Sequence, residues 1–449
     1  MTTLCRFAPS PTGFLHVGNI RAAIINYLYA KKTGGKFMLR LDDTDIERVK
    51  DEYRDMIIQD MKWLGLDYDI FIKQSDRIKR YEEAKLLLIK TGRLYECYES
   101  EGELNLVRKS QVASGIAPIY NRASLNLNQE QKTNFINSGI KPYYRFLLKD
   151  KNVSWNDKIK GNIEYQGLHF SDPVLIRDNN VATYTFCSVV DDLDYGVTDI
   201  IRGEDHITNT AIQIQIFEAL IEAGFKGFIP EFAHLSLVKA KEGKISKREG
   251  GFDIKTLRSQ KILPFAIISL LAQIGTSKSI EIHKDYNKLI EFFDFSIFSK
   301  SSTSYDIQEL IVINQKLLQS LNFDEISKER DGESLSEINE NIWLAIRSNI
   351  NSLDDIKYWI EVFKSNFRFN NGINDKEFLK KSLETLPQDT SSENAWQLWL
   401  DEIKKDTNRK GKDLFMPIRL ALTGQEHGPE LKNVINLLSR DEIIARLSN

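Results

Sequence analysis

Two clusters of residues in this 449-residue chain have the types and spacing to do chemistry. The first is Ala8-Pro9-Ser10-Pro11-Thr12-Gly13-Phe14-Leu15-His16-Val17-Gly18-Asn19. A short apolar run, Leu4–Phe7, precedes it, and Ile20, Ile24 and Leu28 follow at helical spacing. Two prolines forbid a regular ladder, so a strand gives way here to a turn and then a helix. A loop that enters a helix at the carboxyl edge of a parallel sheet is a place for anions and nucleotides. His16 can donate to a phosphate oxygen and Asn19 can cap the helix. Gly18, with no Cβ, lets a flat base approach the backbone. The bland alternative is a proline-rich loop with an incidental histidine.

The second cluster is Lys244-Ile245-Ser246-Lys247-Arg248, inside the charged stretch Lys239 to Gly251. Most lysine-rich pentapeptides are only solvated surface. This one follows an apolar segment, Pro230–Val238, that reads as a buried strand. Two lysines on a glycine-flanked loop at that edge can close over phosphates.

The elements that must hold these clusters follow a strand–helix rhythm. After Gly34-Gly35 stops the first helix, Lys36–Leu41 reads as a second strand and residues 49–64 as a charged amphipathic helix. That order predicts a parallel sheet with right-handed crossovers. Between about Tyr95 and Ala182 the rhythm is lost, which suggests an inserted subdomain. It returns with a strand at Val197–Ile201 and a helix at Thr208–Gly224. Beyond about Leu257 nearly everything reads as helix, with polar linkers expected at Lys300–Ser304 and Lys328–Glu333.

Composition narrows the class without choosing a partner. With 41% hydrophobic and 28% charged residues the chain is globular. A net charge of −3 is mild evidence against nucleic-acid binding, yet 61 Lys and Arg leave room for a local basic face. No apolar run approaches the ~20 residues of a membrane span. The N-terminus lacks a signal-peptide layout. Cys5, Cys97 and Cys187 are too scattered for a disulfide framework, so a cytoplasmic protein is expected.

Together, the two clusters resemble the signatures of class I aminoacyl-tRNA synthetases, in the form found in bacterial glutamyl-tRNA synthetases. His16-Val17-Gly18-Asn19 is similar to the His-Ile-Gly-His tetrapeptide, and Lys244–Arg248 to Lys-Met-Ser-Lys-Ser. The resemblance implies an α/β fold: a Rossmann-type catalytic domain (1–94 and 183–255), an inserted α+β acceptor-arm subdomain (95–182), a helical linker domain (256–305) and an all-α anticodon-binding region (306–449). It implies activation of L-glutamate by Mg2+-ATP and transfer to tRNA(Glu), with tRNA(Gln) left open as a second acceptor. A monomer is expected.

Site residues follow from the same resemblance. His16, Asn19, Lys244 and Lys247 would serve catalysis. Thr12, His16, Gly18, Val238, Ser246 and Lys247 would hold ATP. Arg6, Ala8, Ser10, Asp42, Tyr184 and Arg202 would hold glutamate. Relatives commonly carry glutamate where Asp42 stands, and some carry asparagine at Ser188. Some relatives also bind zinc in the insertion. Here Cys97 is followed by Tyr98 and Glu99, and Tyr120-Asn121-Arg122 offers neither cysteine nor histidine, so no zinc is expected. Tyr143–Phe146 and Trp155-Asn156-Asp157 look like the family's acceptor-arm segments, and Met416–Gly424 matches its anticodon half. The rival readings are a nucleotidyltransferase of the same superfamily that makes a small adenylate without tRNA, and a tRNA-binding paralogue without activity.

Overall fold

The computed structural model describes residues 2–45, 47–167, 170–241, 253–328, 337–364, 375–392 and 394–448. It divides into two compact units, residues 1–258 with 268–306 and residues 259–267 with 307–449.

In the first unit β1 (Leu4–Phe7), α1 (Val17–Lys32), β2 (Lys36–Leu41), α2 (Asp51–Trp63), β3 (Ile70–Lys73) and α3 (Ile78–Lys90) alternate as their apolar spacing predicts. The turn from α1 to β2 is set by two glycines. Gly34 lies at φ +64°, and a Cβ on Gly35 would fall 2.4 Å from the Thr3 carbonyl oxygen. Any side chain there would push β2 out of its pairing with β1, because Lys36 N–H donates to that carbonyl at 2.8 Å.

An insertion then supplies β4 (Leu94–Cys97), α4 (Glu101–Ala113), α5 (Gln129–Asn137), β5 (Tyr143–Phe146), the hairpin β6 (Val153–Asp157) and β7 (Gly161–Tyr165), and β8 (Val174–Ile176). Strands β4, β5 and β8 form an antiparallel sheet, and β6 pairs only with β7. Trp155 stacks on Tyr165 with centroids 6.0 Å apart. The chain returns to the main sheet through α6 (Tyr184–Tyr195), β9 (Asp199–Gly203), α7 (Ile207–Glu222) and β10 (Glu231–Leu235).

The main sheet has the order β10-β9-β1-β2-β3, and all its pairings are parallel. Strands β1 to β3 wind one way and β9 to β10 the other. The direction of winding therefore changes between β1 and β9, the position at which open α/β sheets leave a crevice. Asn26 on α1 ties that junction together by donating to Ala22 O at 2.8 Å and to Ile201 O on β9 at 2.9 Å.

The expected strand Pro230–Val238 is two strands, since Val238–Ala240 (β11) pairs elsewhere. Its partner is β12 (Thr303–Tyr305), which overlaps the end of the stretch read as a polar linker. The linker expectation at residues 300–304 is thus corrected: a three-residue polar strand has no periodicity of its own to reveal it. The other expected linker, Lys328–Glu333, lies mostly outside the described residues.

The described elements of the second unit are helical: Ile307–Ser320, Leu353–Phe363, Lys376–Glu384, Ala395–Thr407, Lys412–Thr423 and Arg440–Leu447 are the longer ones. Its core gathers Trp399, Leu414, Ile418, Leu422, Val434 and Ile443. Pro417 sits inside the helix Lys412–Thr423 and cannot donate to Asp413 O; Arg409 donates there at 3.3 Å instead. No helix among the described residues is long and apolar enough to cross a membrane.

Trp399 is fully buried and its Nε1 donates to Ser382 O at 2.7 Å. Replacing it leaves a cavity and removes the shorter of two hydrogen bonds to that carbonyl, the other coming from Thr385 Oγ1 at 3.1 Å. Trp399→Ala is expected to destabilise the second unit by about 3–5 kcal/mol. Urea unfolding followed by tryptophan fluorescence measures this, and a midpoint unchanged from the parent chain would refute it.

Candidate active site

Two clefts open at the carboxyl ends of β1, β2 and β9. One, of about 230 Å³, is lined by Arg6, Ala8, His16, Gly18, Asn19, Tyr184, Arg202 and Val238 among others. The other, of about 290 Å³, is lined by Ser10, Thr12, Asp42, Arg48, Gln74 and Tyr184 among others. Tyr184, the first residue of α6, lies on both. Every described residue that the sequence assigned to catalysis, ATP or glutamate is on one cleft or the other.

Beneath them lies a buried charge network. Arg6 on β1 pairs with Asp192, its Nε 3.2 Å from Oδ1. Arg40 on β2, which sequence reasoning did not single out, occupies the centre. Its Nε reaches Asp42 at 2.7 Å, its Nη1 reaches Asp192 at 2.7 Å, and its Nη2 donates to Ser188 Oγ at 3.1 Å. Asp191 takes Arg77 at 2.6 Å, Gln74 at 2.9 Å and the Tyr81 hydroxyl at 3.0 Å. Three guanidiniums thus face three carboxylates, the arrangement that makes burial of charge tolerable. Burial raises the Asp42 carboxyl to about 6, against the pull of Arg40. Asp192 also meets the penalty of burial, but Arg6 and Arg40 outweigh it and hold it below the usual carboxylate range. The signal for Arg40 was an arginine within the apolar strand Phe-Met-Leu-Arg-Leu; nothing local identified its partners.

Arg202, at the end of β9, is different. Its three hydrogen bonds go to neutral oxygens: Tyr184 Oη at 3.3 Å, Thr210 Oγ1 at 2.6 Å and Gln213 Oε1 at 2.7 Å. Its Nε has no partner among the described residues. Burial holds this guanidinium below its ordinary range, and Arg6 pushes the same way. Here a cation is solvated by dipoles alone beside a second cation, an arrangement that favours an arriving anion.

The start of α1 holds the histidine. His16, not Asn19, is the N-cap. Its Nδ1 accepts from Gly18 N–H at 3.1 Å and Asn19 N–H at 3.4 Å, while Asn19 Oδ1 accepts from His16 N–H at 3.3 Å. The expectation that Asn19 caps the helix is corrected to a reciprocal box with Asn19 in the third position. Because Nδ1 accepts, the neutral ring carries its proton on Nε2, which makes that nitrogen a donor. Gly18 is what admits the ring: a Cβ there would lie 3.0 Å from His16 Cε1 and 3.1 Å from Nδ1.

Lys244, Ser246 and Lys247 lie outside the described residues. The anchors on either side of them are described. Before them, β11 pairs with β12, and Lys241 N–H donates to Tyr305 O at 3.1 Å. After them, Asp253 bridges to His16, and Ile254 N–H donates to Leu15 O at 2.9 Å.

In the insertion, Cys97 is buried with its sulfur 3.6 Å from Tyr120 Oη. Glu99 accepts from Tyr120 at 2.7 Å, Ser124 at 2.8 Å and Tyr143 at 3.1 Å. Among the described residues no group of three His, Cys, Asp or Glu side chains is placed to hold a metal ion.

Comparison with known proteins fits this geometry. Residues 2–312 match the catalytic domain of class I tRNA synthetases (E and Q), and residues 317–449 match an anticodon binding domain. The chain belongs to the class I tRNA synthetases of the E and Q kind. Within that class it falls among the glutamate–tRNA ligases. It is 50% identical to glutamate–tRNA ligase 1 of Rickettsia felis, with 99% of each chain covered. It is 48% identical to glutamate–tRNA ligase 2 of Rickettsia canadensis, again with 99% of each covered. A glutamate tRNA ligase from Elizabethkingia meningosepticum, crystallised with its amino acid, superposes with a TM-score of 0.83 at 25% identity, covering 100% of this chain and 98% of that one.

Gly18→Ala tests the histidine's seat. The methyl group displaces the ring from its cap, and kcat/KM for ATP is expected to fall by about tenfold or more with the fold intact by circular dichroism. An unchanged ATP dependence would count against the seat.

Proposed function

We propose that the two clefts divide the work of a glutamate–tRNA ligase between an amino-acid side and a phosphate side. Arg202 and Arg6 take the carboxylates of L-glutamate, and Asp42 takes its ammonium. Tyr184 closes one wall, and Ala8 and Ser10 leave room for the chain of the substrate. The supporting observation is Arg202, a buried guanidinium held by neutral oxygens beside Arg6. Glutamate carries one net negative charge. The network under the clefts is balanced without Arg202, so one anion is what the site lacks.

On the phosphate side, His16 Nε2 donates to the nucleotide, Asn19 fixes the ring that donates, and Thr12, Gly18 and Val238 border the base and ribose. Lys244, Ser246 and Lys247 supply cations and a hydroxyl from the second motif, whose anchors meet β11 at one end and His16 at the other. Magnesium enters as part of the substrate, Mg-ATP.

In the first step an α-carboxylate oxygen of glutamate bonds to the α-phosphorus of ATP and the bond to pyrophosphate breaks. In the second the terminal ribose hydroxyl of tRNA(Glu) attacks the acyl carbon and AMP leaves. No protein nucleophile is needed; both steps depend on positioning and on cations placed where charge accumulates. The enzyme works as a cytoplasmic monomer in this reading, and tRNA(Gln) is a second acceptor to be tested.

The test is charging of purified tRNA(Glu) and tRNA(Gln) with labelled glutamate. Lys247→Ala is expected to lower kcat on the order of 100-fold. Arg202→Gln is expected to raise the KM for glutamate at least about tenfold, the scale of one lost charge-assisted contact. Full charging by both variants would overturn these roles, and charging of tRNA(Gln) by the parent chain would decide its range.

A pH dependence follows from Asp42. A carboxyl raised to about 6 takes up its proton at a pH where an ordinary aspartate is still ionised. The protonated acid cannot hold an ammonium, so kcat/KM for glutamate is expected to fall as pH drops through about 6. Asp42→Asn should abolish that acid limb and lower the plateau; an identical limb in the variant would assign it to another group.

A further inference from the structure

Behind Arg202 stands a line of hydrogen bonds that the reaction itself does not explain. Thr210 Oγ1, 2.6 Å from Arg202 Nη2, is also 2.9 Å from Nε2 of His234 on β10. His234 Nδ1 lies 2.5 Å from Oδ2 of Asp157, the last residue of β6. His234 and Thr210 are fully buried and Asp157 nearly so. His234 and Thr210 carry no local signal in the sequence, and Asp157 belongs to a segment that resembles the family's acceptor-arm contacts.

The proton positions along this line are dictated by its far end. Asp157 Oδ1 accepts backbone N–H groups of Ile159 at 3.0 Å, Lys160 at 2.9 Å and His234 at 3.1 Å. Burial pushes the Asp157 carboxyl up, but the His234 bond and these N–H groups outweigh it and keep it ionised. Burial likewise holds His234 below its ordinary range and therefore neutral, against the pull of Asp157. An ionised carboxylate can only accept, so the imidazole proton sits on Nδ1 and Nε2 becomes an acceptor. The Thr210 hydroxyl must then donate to Nε2 and turn a lone pair toward Arg202. With the other tautomer, Nε2–H would take a Thr210 lone pair, and the hydroxyl would swing to His206 O, 3.2 Å away.

We propose that Asp157, His234 and Thr210 form a positioning chain through which the β6–β7 hairpin orients Arg202 for the glutamate carboxylate. The hairpin is fixed to the main sheet for this task. Lys158 N–H donates to Phe232 O at 2.9 Å, its ammonium pairs with Asp199, and Lys160 pairs with Glu204. Trp155 covers the His234 ring, with centroids 6.3 Å apart. Gln213, whose Nε2 donates to Thr185 O at 3.3 Å, holds the same Arg202 nitrogen from another direction. The chain thus adds the shortest of three bonds to a guanidinium that Gln213 and the longer contact with Tyr184 Oη would hold less firmly. None of the three residues touches substrate; they are positioning residues, and the proposal rests on the reading of Arg202 as a glutamate contact.

The experiment is steady-state charging of tRNA(Glu) by the full chain, with KM for glutamate and for ATP measured separately. Thr210→Val keeps the shape and removes the hydroxyl; Thr210→Ser restores it; Asp157→Asn keeps the hairpin's backbone bonds and favours the other tautomer. Thr210→Val and Asp157→Asn are each expected to raise the glutamate KM about tenfold, with the ATP KM within about twofold of the parent. Thr210→Ser should behave as the parent, and the double variant should be no worse than Thr210→Val alone, because both break one line. Effects that multiply, a parallel rise in both KM values, or no rescue by serine would overturn the chain. Should Asp157→Asn fail to fold, the valine and serine pair decides. Arg202→Gln runs beside them: a raised glutamate KM there with parental values in the other variants sinks the chain alone. An unchanged value in Arg202→Gln sinks the reading of Arg202 and the chain with it.

Discussion

Guanidiniums removed from water beneath the carboxyl edge of the sheet constrain the rest of the first unit. A charge carried into a low-dielectric interior loses several kcal/mol of solvation, and only close, well-directed partners recover it. Arg6, Arg40 and Arg77 find theirs on a single helix: Asp191 and Asp192 are consecutive on α6 and reach strands and loops on different sides. Helix α6 must therefore lie against β1 and β2 in one register. Moving it by a residue would put Val190 or Leu193 in place of one aspartate and carry the other away from its partners. The network specifies where α6 packs more sharply than apolar contact could, since apolar contact is non-directional.

Once α6 is placed, the rest of the site follows from topology. The sheet changes winding direction between β1 and β9, and the side chains at those two strand ends, Arg6 and Arg202, face the same cleft. Their likeness ends there. Arg6 is neutralised by Asp192, whereas Arg202 is held by hydroxyl and amide oxygens that orient it without cancelling its charge. Orientation by dipoles keeps the electrostatic attraction available for a ligand, which a carboxylate partner would have used up. The cleft thus has one cation whose charge is largely balanced by its own carboxylate partner and one whose charge is left for the ligand.

How far this could be read in the sequence depended on the range of the interaction. The strand–helix rhythm, the glycine stop at Gly34-Gly35 and the all-helical tail are local and periodic, and they were legible. The class I signature was legible because strand, loop and helix had to appear in one order. Arg40 was not, because its partner Asp192 is 152 residues away along the chain. Strand β12 was missed for a similar reason: three polar residues become a strand only through β11. The cap of α1 was assigned to Asn19 because asparagine is a favoured N-cap and histidine is not. Only the three-dimensional position of Nδ1, over two amides freed by Gly18, shows the histidine in that place. The relay Asp157–His234–Thr210 joins three segments, each of which alone reads as ordinary core.

The two positions singled out by the family resemblance as departures, Asp42 and, against some members only, Ser188, are not independent. Both touch Arg40: the Asp42 carboxylate at 2.7 Å and the Ser188 hydroxyl at 3.1 Å. The serine hydroxyl is also 3.5 Å from Asp42 Oδ2. A shorter acid at residue 42 draws its carboxylate back toward the sheet, where Arg40 can reach it. A small hydroxyl at residue 188 leaves room for the guanidinium to do so; an amide would fill that room. The consequence is an Asp42 carboxylate shared between a permanent cation and the ammonium that Asp42 is proposed to hold. Its charge reaches the ligand weakened by Arg40 and its pKa is raised by burial. Arg40 thus sits where the charge balance of the core meets the strength of the ammonium contact, so a substitution at either neighbour alters both at once.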